Sequence, residues 1–124
     1  MPPRADVYGG PVSADEFDLL NFFAASPSLL DPDVAWAYND TAYEVAVGSI
    51  HLSFAIAPSV KDVRVVLKSG GKLLYELNAV GVEDIKYHND KGRESLEIKV
   101  SSRDSVWLRI KPEISIAHVA SNGI

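Results

Sequence analysis

Cysteine is absent from all 124 residues, which excludes disulfide scaffolds, thiolate zinc sites, iron–sulfur clusters and cysteine nucleophiles. Positive charge is nearly absent from the first half. Between Met1 and Val60 the only base is Arg4, against eight carboxylates: Asp6, Asp15, Glu16, Asp18, Asp31, Asp33, Asp40 and Glu44. Long apolar runs are missing too. The longest, Ile50 to Pro58, is interrupted by His51 and Ser53 and is far too short to cross a bilayer. The opening Met-Pro-Pro-Arg-Ala-Asp has no apolar core of a signal peptide, so the expectation is a soluble, cytoplasmic chain with no membrane partner.

Catalytic signatures are equally scarce. There is no Walker sequence, no G-x-S-x-G elbow and no H-E-x-x-H. Gly9-Gly10 and Gly70-Gly71 do not open a helix, as a phosphate cradle must. His51, His88 and His118 have no second histidine two or four residues away, so no metal site and no cofactor are assigned. The acidic pairs Glu83-Asp84 and Asp31-Pro32-Asp33 suit turns, and nothing places either carboxyl against apolar groups as acid–base catalysis requires. The net charge of −5 argues against nucleic acid as a partner.

What is present describes one globular domain. Hydrophobic residues make up 47% and charged ones 23%, ordinary for a folded chain of this length. Residues 1–12, rich in proline and glycine, read as a flexible tail, and residues 13–124 as a single domain. Ser13-Ala-Asp-Glu16 matches a capping box, with Val12 and Phe17 as its hydrophobic staple. Phe17, Leu20, Phe23 and Ala24 follow helical spacing, and Ser26-Pro27 stops it, so a helix is expected over 14–25.

From Val34 the period changes to two. Alternation marks strands through Ile50–Ile56, Val63–Leu67, Leu73–Leu77, Leu96–Val100 and Val106–Ile110, with a last one at Ile114–Val119. Segments around Trp36–Tyr38 and Tyr43–Val47 are weaker strand candidates. Asn89-Asp-Lys-Gly92 reads as a hairpin loop built on a type I turn with glycine at its end. Turn signals about every ten residues imply meander connections. The fold expected is α+β, mainly β: one N-terminal helix packed on a seven- to eight-stranded antiparallel sandwich or a strongly curved, barrel-like sheet.

Charge asymmetry supplies the functional reading. Residues 1–60 carry a net −7 and residues 61–124 a net +2. Capping and turn chemistry account for several of the acids, yet the missing Lys and Arg point to an acidic surface. Asp18, Asp31, Asp33, Asp40 and Glu44, with Tyr38 and Tyr43 among them, are the candidate partner-binding residues. They suggest a non-enzymatic interaction domain facing a basic protein, for example an immunity or inhibitor protein. Trp107 and Arg109 lie opposite Val106, Leu108 and Ile110 and form a second interface candidate. Self-association into a homodimer, through the Ile114–Val119 edge or the Trp107 face, is a further expectation. The competing class is a cystatin-like or calycin-like curved sheet that binds an apolar small molecule, with or without catalysis. Its cavity would be lined by Tyr38, Tyr43, Phe54 and Tyr75.

Overall fold

The computed structural model describes residues 12–120. The segment 1–11 of the expected tail lies outside the described residues, while Val12 is buried. Among the described residues one α-helix, α1 (Glu16–Phe23), precedes nine strands: β1 (Ser28–Leu29), β2 (Thr41–Val47), β3 (Ile50–Ala57), β4 (Asp62–Ser69), β5 (Lys72–Ala79), β6 (Asp84–Asp90), β7 (Arg93–Lys99), β8 (Asp104–Arg109) and β9 (Ser115–Ala120). Two antiparallel meanders result, β1 to β5 in one sheet and β6 to β9 in the other. The two sheets are separate rather than closed on each other, so the expected mainly-β sandwich forms and the barrel does not. Among the described residues no helix is long and apolar enough to cross a membrane.

Most of the alternating residues of the sequence become the inner faces, but the register shift at Leu67/Lys68 sets Leu73 opposite Lys68 and leaves it exposed. Leu52, Phe54 and Ile56 of β3, Val63 and Val65 of β4, Leu96 and Ile98 of β7, and Val106 and Leu108 of β8 meet in one cluster. Alternation puts successive side chains on opposite faces, so each such strand has one face inward and one outward. The Asn89–Gly92 hairpin closes more tightly than expected. β6 runs to Asp90, and Lys91 (φ 54) with Gly92 (φ 88) are both left-handed, which is the type I′ geometry that matches strand twist. Trp36–Tyr38 is a 3-10 turn, not a strand.

The helix is shorter than expected and capped two residues later. Asp15 is the N-cap: its carboxylate accepts from the Asp18 N–H at 2.8 Å, and the Asp18 carboxylate accepts from the Asp15 N–H at 3.1 Å. Ser13 meets the same capping pattern but is diverted, since its backbone N–H and hydroxyl both donate to Asp84. Moving the cap rotates the apolar stripe. Leu19, Phe22 and Phe23 are buried, while Phe17 is 71% and Leu20 41% exposed. Ala24 ends the helix in a left-handed conformation, its N–H donating to the Leu20 carbonyl. Phe23 then stacks on Tyr43 with ring centroids 4.8 Å apart and lies 5.1 Å from Phe54.

Candidate functional site: an acidic end with exposed apolar side chains

The segment 30–40 is held by one side chain. Asn39 is buried, and its carboxamide nitrogen donates to the carbonyls of Asp31 (2.6 Å) and Val34 (2.8 Å). Its oxygen accepts from the N–H groups of Asp31 (3.2 Å) and Asp40 (2.9 Å). An amide side chain has two donors and one acceptor oxygen with two lone pairs, so every position is used. The Asp31 carboxylate adds an internal bond, accepting from the Asp33 N–H at 3.1 Å. The Leu30 N–H donates to the Asp40 carbonyl, which ties the two ends of the segment together.

This frame leaves Leu30 80% and Tyr38 75% exposed, with Asp31 and Asp33 in solvent beside them. The Trp36–Tyr38 turn touches the Pro58–Val60 turn, where Val60 is also exposed. On its other side a hollow of about 240 Å3 is lined by Asp15, Glu16, Phe17, Ala35, Trp36 and Ala37. The start of α1, with exposed Glu16 and Phe17, therefore borders the acidic segment. Large apolar side chains standing in solvent within a carboxylate-rich surface are the informative feature, because monomers rarely cluster them without use.

The expected partner-binding residues are divided by the structure. Asp31, Asp33 and Tyr38 come together on the exposed segment. Asp40 adjoins them but accepts from the Arg64 guanidinium at 3.0 and 3.1 Å, so part of the acidic charge is met by the same sheet. Glu44 lies on the outer face of β2 and pairs with His51 at 3.1 Å. It is about 13 Å along the strand from Asp40 at 3.3 Å per residue. Asp18 is committed to the helix cap.

Tyr43 corrects the reading from sequence, because it is 1% exposed and belongs to the core. Its hydroxyl accepts from the Trp36 indole N–H at 3.0 Å. Burial raises its pKa, with the Trp36 bond acting in the opposite direction and Glu16 adding to the rise. The aromatic cavity expected from Tyr38, Tyr43, Phe54 and Tyr75 does not form: Tyr43 and Phe54 are packed in the core and Tyr38 is in solvent. Phe17, Leu30, Val60 and Asn39 were missed. A cap at Asp15 was the available signal for Phe17, since the apolar spacing 19, 22, 23 then leaves it outside.

The second candidate lies elsewhere, on the outer face of the β6–β9 sheet. Trp107 stands outward as expected and stacks on His88 at 5.0 Å, and Arg109 is exposed. Beneath them Glu97 accepts from the Ser105 hydroxyl at 3.0 Å and is bonded to His88 at 3.1 Å. The three histidines are distributed over β3, β6 and β9, each beside its own carboxylate: His51 with Glu44, His88 with Glu97, and His118 with Asp104 at 3.5 Å.

No family model matches this chain, and no curated protein matches it. Among solved structures, a chain of a contact-dependent growth inhibition toxin–immunity protein complex from Klebsiella pneumoniae 342 has a similar fold. It is 17% identical at a TM-score of 0.70, over 83% of this chain and 90% of that one.

Proposed function

We propose that this chain is an immunity-type protein-interaction domain that presents its acidic end to a basic protein partner. The observation that carries the reading is the exposed segment 30–40. It sets Asp31 and Asp33 beside Leu30 and Tyr38 and is continuous with Glu16 and Phe17. Interfaces combine aromatic anchors with charges that steer encounter, and this end has both. Similarity of fold to a chain of a toxin–immunity protein complex supports the same direction. Blocking a cationic toxin would need no chemistry from this protein, only a surface complementary in charge and shape.

Capture on the immobilised chain from native lysate, and against the product of the adjacent gene, tests the proposal. The partner is expected to be basic and to be retained at about 0.01 M salt. Release is expected near 1 M, where the screening length falls from about 30 Å to about 3 Å. The combined variant Asp31→Asn, Asp33→Asn, Tyr38→Ala should lose it. Retention by that variant, or retention indifferent to salt, would refute an electrostatic interface at this end.

A further inference from the structure

The two sheets have four edges, and three are blunted. β1 is two residues long, and beyond it the edge of β2 carries the charged Glu44. β6 is engaged by the chain preceding the helix, whose Ala14 N–H donates to the Ile85 carbonyl at 2.7 Å while Ser13 holds Asp84. β5 carries Lys72 and Glu76, and its register with β4 shifts at Leu67/Lys68. Charges, irregular register and covering segments are the devices by which proteins keep sheet edges from pairing.

Among the described residues β9 has none of them. Ser115-Ile-Ala-His-Val-Ala120 contains no lysine, acid or proline, keeps unbroken register with β8 over all six residues, and leaves Val119 54% exposed. An edge kept free of charge when the others are protected is suited to receive a strand.

We propose that β9 pairs antiparallel with β9 of a second copy, joining two four-stranded sheets across a twofold axis at Ala117. A twofold axis normal to the sheet keeps the outer face of one copy continuous with that of the other. Opposed residues must then have the same parity. Centring on Ile116 would overlap only three strand residues. Centring on His118 would set two titratable rings against each other at about 5 Å. Centring on Ala117 overlaps five residues, and opposes Ala117 to itself, Ile116 to His118 and Ser115 to Val119. No two charged side chains face across that seam.

The cross-strand order places Trp107 beside Ala117 on the outer face. The row across the dimer would read Trp107, Ala117, Ala117, Trp107, with small side chains leaving room at the axis. This edge is distinct from segment 30–40, so the proposal stands independently of the partner proposed above.

The absence of cysteine makes a register-specific test direct. Light scattering on the full chain at about 100 µM should give twice the 13.5 kDa chain mass. Ala117→Lys should return it to the monomer with an unchanged circular dichroism spectrum. Under mild oxidation with copper phenanthroline, Ala117→Cys should cross-link with itself, since opposed Cβ atoms lie about 5 Å apart. Ser115→Cys and Val119→Cys should cross-link when mixed but not separately. A monomeric mass at every concentration, or equal cross-linking of all three single variants, would overturn the proposal.

Discussion

At the scale of the residue, small polar side chains decide what the surface offers. Asn39 organises the segment that carries Asp31, Asp33 and Tyr38 through four bonds from a buried site. Asn39→Asp keeps the shape and turns two donors into acceptors facing two carbonyls. Each orphaned group costs roughly 1–3 kcal/mol, so a large loss in denaturant midpoint is expected, with partner binding weakened in parallel. Unchanged stability would show that the latch is not needed. Asp84 makes a second case. Burial works to raise the pKa of its carboxyl, but Ser13, the Ile85 N–H and Lys86 together hold it below the ordinary 3.8. A lowered folded-state pKa contributes stability above the unfolded value, and that contribution is lost as pH falls through the folded value. The stability gap between the parent and Ser13→Ala should therefore be full at pH 6 and shrink below about pH 4, as followed by urea unfolding. Neither role was legible in sequence, because Ser13–Asp84 and Asn39–Asp31 are tertiary contacts that local patterns do not encode.

At the scale of the element, the strands were the most legible part. Leu52-x-Phe54-x-Ile56 and Val106-x-Leu108-x-Ile110 point inward as alternation requires. The helix shows where such reading stops. Two overlapping capping patterns, Ser13-x-x-Glu16 and Asp15-x-x-Asp18, are equally good locally, and a carboxylate 71 residues away selects the second. Asp15→Ala should then cost about 1 kcal/mol of stability as the true cap, lowering the melting temperature by a few degrees. A helix start unmoved by that substitution in amide exchange would contradict the assignment. The same choice explains why Phe17 belongs to the surface and why an aromatic is available beside Glu16. Tyr43 failed as a surface residue for a related reason. In β2 it alternates with Glu44, and the inward position faces Phe23 and Phe54.

At the scale of the whole molecule, the charge split of the sequence is not a split between the two sheets. β4 returns Arg64 and Lys68 to the outer face of the first sheet, and Arg64 meets Asp40. The acidic surplus is thereby concentrated at Glu16, Asp31 and Asp33, where exposed Phe17, Leu30 and Tyr38 stand among the acids. Sequence alone made this region acidic, but it could not say which tyrosine faces solvent. The most direct measurement is the association rate of the purified partner with the parent and with Asp31→Asn, Asp33→Asn, Tyr38→Ala across ionic strength. The parent rate should fall at least about tenfold between low and high salt, and the variant rate should be lower and nearly flat. Equal rates for the two proteins, or a parent rate indifferent to salt, would contradict binding through the acidic end.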